Sequence, residues 1–122
     1  MQLNLHPRDQ RHSITGYDGQ VIQAAGKHFS GPVVIGWQQA PQSLELPPIS
    51  ELTTDALGDW LDSGCELLLL GCGRQQAFPP AATLAAIQQR AIGCESMITS
   101  AACRTYNVLL SEQRRVLALL IP

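Results

Sequence analysis

Five consecutive residues, Cys103, Arg104, Thr105, Tyr106 and Asn107, bring together a thiol, a guanidinium, a hydroxyl, a phenol and a carboxamide. They sit in the stretch TSAACRTYNVLL, Thr99 to Leu110. If Thr99 or Ser100 caps a helix there, Cys103 falls in its first turn, where unpaired N–H groups and the helix dipole lower a thiol's pKa. Arg104 adds positive charge. The chemistry of such an arrangement is nucleophilic, with Cys103 as the thiolate, and it needs a base within reach. The histidines are His6, His12 and His28. Two of them lie in a polar amino-terminal stretch, so His28 is the only realistic partner. Against this, Ala102, Tyr106, Leu109 and Leu110 follow the i, i+4, i+7, i+8 spacing of a buried helical stripe, and Cys103 lies beside it. A cysteine in that place is ordinarily a small core residue. No catalytic residue is assigned on this basis, and Cys103 stands as the alternative.

Gly71, Cys72 and Gly73 follow an apolar run, at the carboxyl end of a strand, where open α/β sheets bind ligands and glycines let backbone approach an anion. GxG alone lacks the third glycine, the immediate helix and the acidic residue of a dinucleotide site. With Ser100 and Arg104 from the neighbouring helix start, these three residues form a candidate ligand site. Arg104 could equally face a partner's carboxylate, and Asn107 could hydrogen-bond to the glycine turn and fix its shape. The cysteines are Cys65, Cys72, Cys94 and Cys103. Two precede strands and two follow strand ends, roughly 15 to 20 Å apart at ~3.3 Å per residue. Since zinc needs its ligands at about 2.3 Å from one ion, no metal site is assigned. Asp55, Asp59 and Asp62 read as solvated charges on the outer side of an amphipathic helix, and no carboxylate pair stands out.

The elements that must position these residues come from the hydrophobic pattern of a 122-residue chain, enough for one domain. Residues 1–13 show no periodicity and read as a mobile or loosely docked arm, with one domain over residues 14–122. Gln20 to Ser30 reads as a hairpin turning at Ala25 and Gly26. Val33 to Ile35 is a strand buried on both faces. Gln38 to Leu52, with Pro41, Pro47 and Pro48, reads as an extended surface connector. Thr53 or Thr54 caps a helix that buries Leu57, Trp60 and Leu61, and Gly64 ends it. A strand over Glu66 to Leu70 follows, then a helix opening at Pro80, carrying Leu84, Ile87 and Ala91, and stopping at Gly93. Cys94 to Ile98 is a strand, the Thr99 helix follows, and Val116 to Ile121 closes the chain as a strand. This alternation makes an α/β fold: a mixed, mostly parallel central sheet flanked by helices, with an amino-terminal β-hairpin layer.

Composition narrows the function further. A net charge of −2, with eight scattered basic residues, provides no basic stripe for nucleic acid. No apolar run approaches the ~20 residues that span a bilayer. The absence of a secretory or transit pattern at the start makes the cytoplasm the expected compartment, and its thiols are expected to be reduced.

The strings LLLLGCG, FPP, IGCESM and TSAACRTYNVLLSEQRRVLALLIP, from Leu67 to the end, resemble the Mth-type domain of unknown function. That family occurs as a lone domain in bacteria and archaea. In animals it occurs in an assembly factor of mitochondrial respiratory complex I and in an adipogenesis-associated protein. The resemblance runs from about Ile14 onward and implies a three-layer α/β fold, no cofactor, no established catalysis and a role in holding an as yet unknown protein partner during assembly. Two departures stand out. Relatives carry GTG where this chain has Gly71, Cys72 and Gly73, and EGR where it has Glu112, Gln113 and Arg114. A non-glycine at Gln113 is thus expected in a left-handed conformation, at a cost of about 1 kcal/mol. Partner binding is expected through Trp37, the proline-rich connector and Arg104. A second copy is a further candidate partner, paired through the hairpin or through the last strand.

Overall fold

The computed structural model describes residues 12–122. Of the expected arm, residues 1–11 lie outside the described residues. His12 is held, its Nδ1 lying 2.8 Å from the Gly36 carbonyl.

The chain opens with an antiparallel sheet of β1 (Ile14–Tyr17), β2 (Ile22–Ala24) and β3 (Lys27–Phe29). The expected turn joins β2 to β3, with Ala25 at φ 53° and Gly26 at φ 73°, the left-handed pair that a two-residue hairpin requires. The layer has one strand more than the sequence pattern predicts, because β1 is short and carries a register irregularity between Ile14 and Gly16 that blurs its alternation.

The second sheet contains β4 (Val33–Gly36), β5 (Gln39–Ser43), β6 (Leu67–Cys72), β7 (Gly93–Met97) and β8 (Val116–Ile121) in the order β5-β4-β8-β6-β7. β8 pairs parallel with β6, and β6 with β7, whereas β4 runs antiparallel to both β8 and β5. Two expectations are corrected here. Part of the connector is a strand: β5 tolerates Pro41 because it lies at the sheet edge, where a missing N–H breaks no ladder. The last strand is central, not an edge, so no second copy can pair with it.

Three helices cover this sheet. The first, α1 (Thr54–Leu57), is capped by Thr53, whose side chain accepts the Ala56 N–H at 3.2 Å, and continues as a 3₁₀ turn over Gly58–Asp62. Helix α2 (Ala81–Gln89) begins after Pro80. Its stop is Ala91, at φ 59°, and not Gly93, which starts β7. Helix α3 (Thr99–Ser111) returns the chain to β8. Here the positive φ falls on Gln113, at 61°, as the departure from EGR predicts.

Alternation along the central strands divides the core in two. Val33, Ile35, Leu69, Val116, Ala118 and Leu120 face α3 and the hairpin layer. Val34, Leu68, Leu70, Leu117 and Leu119 face α2, α1 and the 3₁₀ turn. Burial on both faces is what makes β6 and β8 read as unbroken apolar runs.

Candidate functional site

Helix α3 starts differently from the sequence expectation. Ile98 occupies the capping position without a side-chain hydrogen bond, so neither Thr99 nor Ser100 is the cap. Thr99 is fully buried. Its hydroxyl donates to the Ile121 carbonyl at 2.5 Å and accepts the Gly73 N–H at 2.8 Å, while its own N–H donates to the Gly73 carbonyl at 2.9 Å. The helix start is thereby laced to the ends of β6 and β8.

That lacing explains the glycine turn. A Cβ on Gly71 would lie 2.8 Å from Leu120 Cδ2 and 3.0 Å from Thr99 Oγ1, so glycine is what lets α3 approach the sheet. Gly73 takes φ 81°, a tight turn. Between them the Cys72 thiol donates to the Met97 carbonyl at 3.1 Å. The Gly73 amide that an anion would need is already committed to Thr99. Gly71, Cys72 and Gly73 therefore do not line the space beside Ser100, Cys103 and Arg104.

What does line that space is the hairpin layer. A groove of about 220 Å³ runs between Ile14–Tyr17 and α3, bounded by Ser100, Cys103, Arg104 and Asn107. Asn107 closes one end. Its Nδ2 donates to the Ile14 carbonyl at 2.7 Å and its Oδ1 accepts the Ile14 N–H at 2.9 Å, so the carboxamide pairs with β1 as a neighbouring strand's peptide unit would. It does not reach the glycine turn, because it lies about 12 Å further along α3, at 1.5 Å per residue, than Thr99, which holds that turn. One residue earlier, the Tyr106 hydroxyl donates to the His12 carbonyl at 2.7 Å. Its ring is fully buried and burial pushes the phenol well above its ordinary range.

Cys103 is 6% exposed. Burial pushes its thiol up to about 11, against a smaller opposing effect of Arg104, so desolvation outweighs the helix start. His28 lies on β3 opposite Gln23 and does not line the groove. Trp37 is half-buried and packs against both cores, which leaves less of the ring free than the sequence suggests.

Tyr17 lines the groove without any sequence signal, and Arg74, outside its lining, has none either. Burial raises the Tyr17 phenol above its ordinary range, Cys103 adds to the rise and Arg74 opposes it; Tyr17 and Cys103 line the same groove. Arg74 Nε donates to the Gly19 carbonyl at 3.4 Å. These contacts join segments more than 50 residues apart, beyond any local spacing.

The architecture is a three-layer α/β domain of a kind already seen in solution. A Bordetella pertussis protein described as a Mth938-like domain superposes with a TM-score of 0.80 at 25% identity, covering 100% of this chain and 92% of that one. The chain belongs to the family described as protein of unknown function (DUF498/DUF598), whose profile matches residues 14–121. A solution structure of a Xanthomonas campestris protein matches with a TM-score of 0.82 and 31% identity over 99% of this chain and 92% of that one. A Francisella tularensis protein named 13 kDa major membrane protein is 34% identical over 103 residues, 84% of each chain.

Proposed function

We propose that this chain is a non-catalytic protein-binding module. The observation that supports it most is the outer face of α3. Arg104 is exposed there and Val108, one turn further on, is 54% exposed. The other large apolar side chain standing out among the described residues is Phe78, 67% exposed and followed by Pro79 and Pro80. Aromatic and arginine side chains held on rigid backbone are what partner hot spots use. The proline-rich connector adds an open groove of about 530 Å³ along Pro32, Leu44, Glu45, Leu46 and Pro47. The exposed part of Trp37 stands as a lesser contact.

The alternative, a small thiol-dependent enzyme, is disfavoured by a thiol that burial holds protonated. An anion site at the glycine turn is disfavoured by the committed Gly73 amide.

The resemblance to the respiratory complex I assembly factor suggests the kind of partner: a subunit awaiting incorporation into a larger complex, met in the cytoplasm. No helix among the described residues is long and apolar enough to cross a membrane. The name of the Francisella relative, 13 kDa major membrane protein, stands against a cytoplasmic address.

Affinity capture from the native cell, followed by mass spectrometry, tests this reading. The wild-type chain is expected to retain a specific protein that Val108→Asp and Phe78→Ser release. Identical eluates from wild type and both variants would overturn it.

A further inference from the structure

The mouth of the groove between β1 and α3 collects polar groups with nothing to bond to. Among the described residues, the Arg104 guanidinium, the Ser100 hydroxyl, the Tyr17 phenol and the Cys103 thiol line the groove without a hydrogen-bond partner. Cys103 is more than nine-tenths buried, and a thiol held protonated is a donor. All four line one groove and each can donate, a pattern that calls for an acceptor.

Charge decides which acceptor. Arg104 carries one unpaired positive charge. Arg74 is not among the lining residues: its Nε donates to the Gly19 carbonyl, and Asp18 lies within its electrostatic influence. The lining holds one guanidinium and no carboxylate, a single positive charge, which suits a monoanion and not a phosphate dianion. Size agrees: Ser100 to Asn107 spans about 10 Å of helix at 1.5 Å per residue, room for one side chain. At Ile14 an extended peptide cannot pair with β1, since Asn107 consumes both the N–H and the carbonyl of that residue.

We propose that this mouth receives one carboxylate, the side chain of an aspartate or glutamate on a partner protein, held by Arg104 with Ser100, Tyr17 and Cys103 as donors. The proposal rests on the binding-module reading and specifies the chemistry of its partner. Charge-assisted hydrogen bonds to a guanidinium are the stronger kind, so Arg104 dominates the site.

The test is a titration of ¹⁵N-labelled protein at low salt, followed by amide shifts, with blocked N-acetyl-glutamate methylamide, its glutamine isostere, N-acetyl-alanine and inorganic phosphate. The glutamate compound is expected to shift Tyr17, Ser100, Ala101 and Arg104 saturably at millimolar concentration. Binding is expected to be at least tenfold weaker for the glutamine isostere and for Arg104→Gln, and unchanged for Gln89→Ser, on the exposed side of α2 away from the groove. Equal response to the glutamine isostere, or no localised shift, overturns the proposal. Phosphate saturating these amides while glutamate does not marks an inorganic-anion site, and N-acetyl-alanine binding tenfold tighter marks a chain-end site; either result also overturns it. The two readings fail separately: a captured partner retained undiminished by Arg104→Gln removes the carboxylate and leaves the module standing.

Discussion

Asn107 acts as a substitute peptide unit. Both halves of its carboxamide are used on Ile14, which is 6% exposed, so truncation strands a donor and an acceptor together. Each unsatisfied buried group costs about 1–3 kcal/mol. Asn107→Ala should destabilise by about 2–3 kcal/mol in urea denaturation, and Asn107→Asp by less, because the Ile14 N–H keeps its acceptor. A loss below about 0.5 kcal/mol for the alanine variant would remove the clamp. Gln113 gives the opposite sign. Its φ of 61° favours glycine, so Gln113→Gly should stabilise by about 1 kcal/mol, seen as a raised Tm. The left-handed site was legible through the family resemblance, because relatives carry glycine where this chain has Gln113. The partner of Asn107 was not, since it lies 93 residues away in the chain and side-chain spacing on one helix says nothing about what docks there. Protonation adds a further expectation. Burial raises both Cys94 and Cys103 from 9.0 to about 11. Between those values the unfolded chain binds fewer protons than the folded one. Stability contributed by the neutral thiols is therefore complete below pH 9 and declines as pH rises toward 11, measurable as a falling denaturation midpoint.

At the scale of elements, α3 is placed by contact with β6 and β8. Gly71→Ala puts a Cβ 2.8 Å from Leu120 and 3.0 Å from Thr99. Overpacking of this kind costs about 1–3 kcal/mol, and the helix start must lift from the sheet. Amide exchange at Thr99 and Gly73 should accelerate in that variant, and unchanged protection would refute the close-packing role. Most elements could be read from periodicity, because β4, β6 and β8 are buried on both faces and α3 carries a regular stripe. β5 could not: proline marks a break in most contexts, and only an edge position, a property of strand order, makes Pro41 acceptable. The same limit hid the central place of β8. Local pattern announces a strand, whereas its neighbours are chosen by the fold.

For the whole molecule, the sheet edges bear on self-association. At β7, Gln76 Nε2 donates to the outward Ser96 carbonyl at 2.9 Å and the Ser96 hydroxyl bonds to the Ala77 carbonyl. At β5, Pro41 removes a donor. Edges blunted in this way resist pairing with another chain, so static light scattering should report a monomer; a stable dimer would require the β3 edge. The account as a whole holds that the polar cluster of α3 builds a docking mouth and performs no bond-making. The pH profile of Cys103 alkylation by iodoacetamide, read peptide by peptide in the native protein, tests this most directly. The account predicts reaction at pH 7 slower than that of a free cysteine in a peptide, rising only toward pH 11. Reaction at pH 7 faster than the free peptide, with a midpoint below about 7.5, would contradict it.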